Sequence, residues 1–222
     1  LICFAIKSNT NLHLIKEIKK FGLGADVVSI GELMMAIKAG INPKKIVFSG
    51  VGKTSSEISF AIEKKILLIN AESISEIKEI NRIAKLKNRK VKIGIRLNPN
   101  TDAKTINQIS TGKKENKFGV NNKTFIEILN YCKNSKNVDL KCLSVHIGSQ
   151  ILDHKPYEKM LAVVSKILNK INHEFEFIDL GGGMGIPYDN KKKLNYKKYN
   201  IAVKKFLKNH KSKIIFEPGR SI

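Results

Sequence analysis

The chain has 222 residues, 42% of them hydrophobic, and a formal net charge of +22. It is long enough to bury a sizeable core, and nothing marks a boundary between two domains, so one domain is predicted. No apolar run approaches the roughly 20 residues of a membrane span and no charged leader precedes an apolar block, which excludes a spanning segment and indicates a cytoplasmic protein.

The cysteines and the lysines exclude further classes. Cys3, Cys132 and Cys142 form no CxxC pair and no metal-ligand spacing, so neither a disulfide framework nor a metal site is predicted, and all three are expected to be buried. Lysines are spread along nearly every predicted helix and no basic cluster is interleaved with aromatic residues, which favours a solvated lysine coat. We therefore expect no nucleic-acid or membrane partner, and attraction to anionic small molecules.

Short β-rich runs alternate with amphipathic helices along the chain, which is the pattern of a parallel α/β sheet. The predicted strands are Ile2 to Lys7, Ala25 to Ser29, Ile46 to Ser49, Leu67 to Asn70, Val91 to Leu97, Leu140 to Ile147, Glu176 to Leu180 and Lys213 to Glu217. Eight parallel strands in a chain of this length predict a closed (β/α)8 barrel of the TIM type.

The helices between these strands have their own signals. Thr54 with Glu57 and Ser73 with Glu76 are predicted capping boxes. Two apolar stripes at helical spacing are predicted to pack on the barrel; they consist of Tyr157, Met160, Leu161, Val164, Ile167, Leu168 and Ile171, and of Tyr196, Tyr199, Val203, Phe206 and Leu207. The connection 98–122 is longer than usual, which favours a role in binding or as a lid.

A glycine cluster, Gly181-Gly182-Gly183, directly follows the predicted seventh strand. Consecutive glycines let bare N–H groups approach a ligand, and phosphate is the usual ligand of such a cluster. A tight turn explains a lone cluster about as often. Its position favours phosphate, because barrels commonly bind phosphate after strands 7 and 8.

The active site of such a barrel lies at the C-terminal ends of its strands. The residues predicted to gather there are Lys7, Asp26, Ser29, Arg96, His146, the glycine cluster, Glu217 and Arg220. Burial of Lys7 would lower its pKa and make the amine nucleophilic, as a Schiff base with a carbonyl cofactor requires, although a snorkelling lysine is the alternative for this residue alone. A lysine opposite a phosphate site fits pyridoxal 5′-phosphate, whose ring nitrogen Glu217 would keep protonated.

Other polar residues at this face leave alternatives open. His146 is either a satisfied core histidine or lies flat against the cofactor ring. Arg96 and Arg220 are either ion-paired structural residues or hold a substrate carboxylate. The segment from Ser49 to Thr54 ends like a P-loop, but its first glycine would stand at Val47, so Thr54 is predicted to cap a helix and nucleotide binding is not predicted.

Taken together, these residues resemble the pyridoxal-phosphate-dependent diaminopimelate decarboxylases over essentially the whole chain. The matching segments are Phe4 to Asn9, Gly24 to Ser29, Ile46 to Thr54, Ile109 to Gly112, Asn116 to Gly119, His146 to Gln150, Asp179 to Pro187 and Glu217 to Ile222. Several are shared with the ornithine and arginine decarboxylases. The combination of Ser49–Thr54, Ile109–Gly112 and Gly181–Pro187 looks specific to the diaminopimelate enzymes.

The resemblance implies an alanine-racemase-like, fold-type III barrel, with Lys7 and His146 as catalytic residues. It implies that pyridoxal phosphate is bound by Lys7, Asp26, His146, Ser149, Gly181, Gly182, Gly183, Glu217, Gly219 and Arg220. Arg220 would also bind a substrate carboxylate. The implied reaction converts meso-diaminopimelate to L-lysine and carbon dioxide, in a homodimer whose active site is shared between the subunits.

Family members continue into a C-terminal β-domain that supplies an active-site cysteine and tyrosine. We expect that domain to be absent here and the barrel, residues 1–222, to lack sequence at its N-terminus, so that the chain alone binds the cofactor weakly and turns over little or nothing. The alternatives are a decarboxylase of ornithine, arginine or a carboxylated polyamine such as carboxynorspermidine, and a non-catalytic barrel that carries pyridoxal phosphate.

Overall fold

The computed structural model describes residues 1–100, 118–188 and 193–222. Within them the chain forms eight strands, β1 to β8, with the bounds Cys3–Ala5, Gly24–Val27, Ile46–Phe48, Leu68–Ala71, Val91–Arg96, Val138–Ser144, Phe177–Asp179 and Lys213–Ile215. Each strand pairs in parallel with the next, in the order of the chain. The barrel closes where the N–H of Cys3 donates to Phe216 at 2.8 Å and that of Ala5 to Pro218 at 2.9 Å. The eight-stranded parallel barrel predicted from the sequence is confirmed.

Three strand ends differ from the predictions and affect the site. β1 stops at Ala5, and Ile6–Ser8 form a 3-10 turn, so Lys7 lies just beyond the strand. β6 stops at Ser144, so His146 follows the strand instead of ending it. β8 stops at Ile215, two residues before Glu217. All of these side chains still lie at the C-terminal face of the barrel.

The helices α1 to α7 lie between the strands, with the bounds Leu12–Lys20, Ile30–Lys38, Ser55–Glu63, Ile74–Leu86, Asn122–Lys133, Lys155–Leu168 and Tyr196–Asn209. α3 begins at the complete capping box predicted at Thr54. The capping box predicted for α4 is wrong in its second half: Ser73 accepts from the N–H of Glu76, but the Glu76 carboxylate accepts from the N–H of Glu72 at 3.0 Å and pairs with Lys53 at 2.7 Å. The carboxylate thus joins the backbone before the helix to a buried cation and does not close the box at Ser73.

The predicted apolar stripes pack on the barrel with one exception. Tyr157, Met160, Leu161 and Val164 of α6 are buried, whereas Tyr196 at the start of α7 is 52% exposed. Tyr196 is the first residue of its helix. The cysteines are all free and buried, as predicted.

Side chains inside the barrel form two layers. The apolar layer consists of Cys3, Val47, Leu68, Cys142, Phe177 and Ile215. Four of these apolar residues are followed, two positions later in the chain and on the same side of the sheet, by a polar residue; the last of these lies just past the end of β8. These four residues are Asn70, Ser144, Asp179 and Glu217; together with Asp26 we call them the polar layer. The polar layer lies between the apolar layer and the C-terminal mouth of the barrel.

Two negative findings apply to the described ranges. None of the helices there is long and apolar enough to cross a membrane. The same residues contain no group of three or more His, Cys, Asp or Glu side chains that could hold a metal ion. The predicted motif 109–112, residues 116 and 117 and most of the proposed lid loop lie outside the described residues.

Candidate active site

A cavity of about 370 Å³ opens at the C-terminal mouth of the barrel. Its lining consists of Lys7, Val28, Ser49, Gly50, Val51, Asn70, Glu72, Arg96, Phe118, Ser144, His146 and Glu217. Lys7, His146 and Glu217 therefore come together from the loops after β1, β6 and β8. Asp26 is buried beside this cavity. Ser149, the glycine cluster, Gly219 and Arg220 are outside its described lining.

Lys7 is held by an acidic neighbour. Its Nζ lies 3.6 Å from Oδ2 of Asp26, which stands on β2 opposite Ala5 of β1. The Asp26 carboxylate, helped by Glu217, raises the pKa of Lys7 although burial opposes this. The expectation that burial lowers the pKa of Lys7 is therefore wrong, because a neighbouring charge outweighs desolvation. The amine must lose a proton before it can attack a carbonyl carbon.

Asp26 is an unusual buried acid. It is 1% exposed, and neither carboxylate oxygen has a hydrogen-bond partner among the described residues. Most buried polar groups are hydrogen-bonded, so such an orphan acceptor indicates a place for a further polar group. Asp26 forms an ion pair with Lys7 at 3.6 Å.

The glycine cluster holds the imidazole of His146 in place. The N–H of Gly182 donates to Nδ1 of His146 at 3.3 Å, and a Cβ on Gly181 would lie only 2.6 Å from the same nitrogen. Burial lowers the pKa of His146 well below its usual range, and the nearby cations of Arg96 and Lys7 add to the effect. The ring is therefore neutral at physiological pH; since Nδ1 accepts, its proton is on Nε2.

The three glycines are required by the protein's own packing. A Cβ on Gly182 would lie 2.0 Å from the carbonyl oxygen of Glu217, and one on Gly183 would lie 2.0 Å from that of Gly148. Gly181 and Gly183 also have φ angles of +64° and +85°. Since the N–H groups of Gly181 and Gly182 already have acceptors, binding of a phosphate by this cluster stays a prediction.

Glu217 lies in a network with a second acid. Its backbone N–H donates to the carbonyl of Gly181 at 2.8 Å, and the hydroxyl of Ser49 donates to its Oε1 at 3.3 Å. Nδ2 of Asn70 donates both to Oγ of Ser49 at 3.3 Å and to Asp179 at 3.0 Å. Burial raises the pKa of Glu217 well above its usual range, and the charges of Asp179 and Asp26 raise it further; burial also raises the pKa of Asp179. Glu217 therefore favours its protonated form more strongly than an exposed carboxyl group does.

The two arginines differ. Arg96 pairs with Glu72 at 3.0 Å and lies 4.9 Å from the centroid of the Phe118 ring, so the structure shows the ion-paired alternative for this residue. Arg220 is exposed at the rim, where it donates to Gln150 at 3.3 Å and lies 5.7 Å from the Tyr188 ring. Arg220 thus retains solvent-facing charge near the mouth.

The segment that resembles a P-loop has a structural role. Nζ of Lys53 donates to the carbonyls of Gly50 and Asn70 and to the carboxylate of Glu76. An ammonium has three N–H donors, so all are engaged, and Lys53 is not available to a nucleotide phosphate. The prediction against nucleotide binding agrees with this geometry.

Sequence reasoning named Asp26 and Glu217 but missed the other three residues of the polar layer. Asn70, Ser144 and Asp179 are each at most 4% exposed. The available signal was a polar residue inside an otherwise apolar strand, two positions after a core residue. Such positions need a barrel interior to bring them together, because Asn70 and Asp179 are 109 residues apart in the chain.

Residues 1–222, the whole chain, match the family model described as "Pyridoxal-dependent decarboxylase, pyridoxal binding domain". The chain belongs to this decarboxylase family. It is similar to the diaminopimelate decarboxylase of Helicobacter pylori, with 44% identity over 225 residues, and to that of Aquifex aeolicus, with 42% over 228 residues. Each alignment covers 100% of this chain but 56% and 54% of the relative, so the chain spans about half the length of the curated relatives it matches.

Solved structures agree with the barrel of this pyridoxal-binding domain. The crystal structure of the Helicobacter pylori diaminopimelate decarboxylase complexed with L-lysine matches with a TM-score of 0.97 and 43% identity, over 100% of this chain and 57% of that one. The arginine decarboxylase of Paramecium bursaria Chlorella virus, at 22% identity and a TM-score of 0.81, shares the fold.

The residues around the cavity fit the cofactor that the family binds, pyridoxal phosphate. They provide an amine on Lys7 for its carbonyl carbon, a neutral imidazole on His146, and an acid on Glu217 for its ring nitrogen.

Proposed function

We propose that the protein containing this pyridoxal-binding domain decarboxylates meso-diaminopimelate to L-lysine and carbon dioxide. The observation that carries the proposal is the set of curated relatives, from 37% to 44% identical, which are diaminopimelate decarboxylases. One of the solved relatives of that name is complexed with L-lysine, the product of this reaction.

Each side chain of the cavity has a separate proposed role. Pyridoxal phosphate, when bound, supplies a ring that accepts the electron pair left as carbon dioxide departs. Lys7, whose amine lies 3.6 Å from Asp26, would hold the cofactor's carbonyl carbon. Glu217 would keep the ring nitrogen protonated, which strengthens electron withdrawal. His146, neutral and fixed by Gly182, would cover one face of the ring and exclude water from it.

The remaining roles are assigned to the rim of the cavity. Gly181 to Gly183, Ser149 and Gly219 would hold the phosphate, and Gly219 lies close to the turn that carries Lys7, since a Cβ on it would be 3.1 Å from Cβ of Ser8. Arg220 would turn from Gln150 to a substrate carboxylate, which a guanidinium binds in a bidentate manner. The shared active site of a homodimer and the cytoplasmic location stay predictions.

A substrate competition in the full-length protein tests this proposal. Purified protein with pyridoxal phosphate is offered diaminopimelate, ornithine, arginine and carboxynorspermidine separately, and carbon dioxide release is measured. We expect activity on diaminopimelate to exceed that on the others by at least about 100-fold, because a buried polar site rejects substrates that leave its groups unpaired. Equal or greater activity on another substrate would contradict the proposal.

Two lysine variants test the site. Lys7→Ala should abolish the absorbance change on cofactor binding and the activity, whereas Lys16→Ala, on the exposed face of α1, should leave both unchanged. An unchanged spectrum for Lys7→Ala would refute its assignment. The 222-residue chain by itself should bind the cofactor weakly and release little or no carbon dioxide.

A further inference from the structure

Asp179 is held from several sides at the centre of the polar layer. It is 0% exposed, and its carboxylate accepts from the N–H of Gly181 at 2.9 Å, from Ser144 Oγ at 3.1 Å and from Asn70 Nδ2 at 3.0 Å. Charge-assisted hydrogen bonds of this kind favour the ionised form of the acceptor. The geometry therefore makes Asp179 a carboxylate with little freedom to move.

The strand next to it leaves room for this arrangement. Gly94 of β5 stands beside Asn70 of β4, and a Cβ on Gly94 would lie 1.9 Å from Oδ1 of Asn70. Any larger residue would push the amide away from Asp179. A glycine in the interior of a strand weakens the strand, so its position here is explained by the approach of the Asn70 side chain.

Asp179 and Glu217 belong to one buried network: Nδ2 of Asn70 donates to Asp179 at 3.0 Å and to Oγ of Ser49 at 3.3 Å, and the Ser49 hydroxyl donates to Oε1 of Glu217 at 3.3 Å. Two buried neighbouring carboxyl groups disfavour ionisation of both, so the pair retains a proton. Asp179 receives three donors, whereas the donor to the Glu217 carboxyl among the described residues is the Ser49 hydroxyl, so the proton is assigned to Glu217. The titratable groups that face Glu217 are Asp179, Asp26 and Lys7, with the thiols of Cys3 and Cys142 in the apolar layer below.

We propose that Asp179 is a positioning residue for Glu217: anchored by Asn70, Ser144 and Gly181, it fixes a proton on Glu217 before the cofactor enters. This rests on the role proposed for Glu217 at the ring nitrogen. When the cofactor binds, the Oε–H bond of Glu217 breaks, the proton joins the lone pair of the ring nitrogen, and the bonding electrons stay on Glu217 as a carboxylate. The new ring cation then faces the carboxylates of Glu217 and Asp179, which hold it in the protonated form.

Infrared difference spectra of the cofactor-free full-length protein test the first step. Wild type minus Glu217→Gln should show the carbonyl stretch of a protonated carboxyl group at neutral pH. In Asp179→Asn the band should disappear at a lower pH than in wild type, because burial still raises the pKa of Glu217 but the charge of Asp179 no longer does. Asp139→Asn, which removes a partly exposed carboxylate of the same chain, should leave that pH unchanged. Absence of the band in wild type, or its loss at the same pH in wild type and in a folded Asp179→Asn protein, would overturn the proposal.

Proton uptake on binding tests the second step. Calorimetric titration with pyridoxal phosphate in buffers of different ionisation enthalpy counts the protons exchanged on binding. At a pH between those at which the band disappears in the two proteins, wild type should take up about one proton fewer than Asp179→Asn, because Glu217 of the wild type already carries the proton that the ring nitrogen receives. Equal uptake would overturn the proposal. If Asp179→Asn does not fold, Ser144→Ala replaces it: the loss of a donor to Asp179 should draw the shared proton toward Asp179 and shift the frequency of the infrared band, and an unchanged band would overturn the proposal. Failure of wild type to bind pyridoxal phosphate would instead contradict the proposed function, and the infrared result would still decide the role of Asp179.

Discussion

The apolar and polar layers of the barrel share the same strands but differ in what they do. Leu68 and Asn70, or Phe177 and Asp179, are two residues apart, a rise of about 7 Å along a strand. The lower member of each pair packs against other apolar side chains, and the upper member belongs to a hydrogen-bonded network under the cavity. On one strand, a residue that packs in the core and a residue that belongs to the site are therefore only two positions apart.

The two layers also differ in whether their polar groups have hydrogen-bond partners. Side chains of the apolar layer have no polar groups to pair except two thiols, and these stay neutral because burial raises the pKa of both. The polar layer contains Asp26, whose oxygens lack hydrogen-bond partners among the described residues, and the hydrogen-bonded acids Asp179 and Glu217. Such groups cost folding free energy and are retained where chemistry needs them.

The largest expected effect is in the apolar layer. Phe177→Ala should lower the free energy of unfolding by about 3–5 kcal/mol, because it leaves a cavity at a ring that is 6% exposed. Urea unfolding of the full-length protein measures this loss. Phe21→Ala is the matched control, since Phe21 is 80% exposed and its loss should change stability by less than about 0.5 kcal/mol. Similar values for the two variants would show that the apolar layer is not the source of stability.

A smaller effect is expected where the glycine cluster joins the polar layer to the mouth. Gly182→Ala should destabilise the protein by about 1–3 kcal/mol, because its Cβ would lie 2.0 Å from the Glu217 carbonyl oxygen and something must shift. It should also weaken pyridoxal phosphate binding, measured by absorbance titration, because Glu217 and His146 both contact this cluster. Gly31→Ala in α2, whose nearest atom would be 3.8 Å away, should leave both within error. Unchanged binding of pyridoxal phosphate in Gly182→Ala would show that the glycine cluster does not contribute to the cofactor site.

The two layers also show what could be predicted from sequence. The eight strands, the cap at Thr54 and the gathering of Lys7, His146 and Glu217 follow from local patterns and from the rule that barrel sites lie at C-terminal strand ends. The pKa direction of Lys7 could not be predicted, because it depends on Asp26, which the register of β1 and β2 brings alongside. The side chains that become neighbours on different strands depend on how the strands pair in the barrel, and the sequence of one strand does not specify them.

The second half of the capping box at Ser73 failed for a related reason. The local pattern is correct, but Lys53, from the loop after β3, captures the Glu76 carboxylate at 2.7 Å. A hydrogen bond at a helix end is exposed to water, whereas an ion pair with a buried ammonium prevents an uncompensated charge. A tertiary contact therefore overrides a helix-capping signal where it pairs a buried charge, here the ammonium of Lys53, that would otherwise be uncompensated.

The pH dependence of stability tests the proton on Glu217 in the polar layer. The pKa of Glu217 is raised in the folded protein, so its stabilising contribution is full below the ordinary carboxyl range and is lost as pH rises through the folded pKa. Glu217→Gln should flatten the decline in the free energy of unfolding between pH 5 and pH 8 in the cofactor-free protein. Glu127→Gln, an exposed carboxylate on α5, should leave the decline as it is. A steeper decline in Glu217→Gln would contradict a protonated Glu217.

The smallest expected effect compares one hydroxyl in the polar layer with one outside it. Ser144→Ala should cost about 1–2 kcal/mol, because its Oγ donates to the ionised Asp179 at 3.1 Å and Ser144 is only 4% exposed. Ser212→Ala, whose hydroxyl donates to the neutral carbonyl of Phe175 at 2.8 Å, should cost about 0.5–1 kcal/mol. Urea unfolding at neutral pH compares them, and the difference should disappear in an Asp179→Asn background, where the acceptor is no longer charged. Equal losses in the wild-type background would mean that Asp179 is not ionised, and the proton assigned to Glu217 would then have to be placed on Asp179.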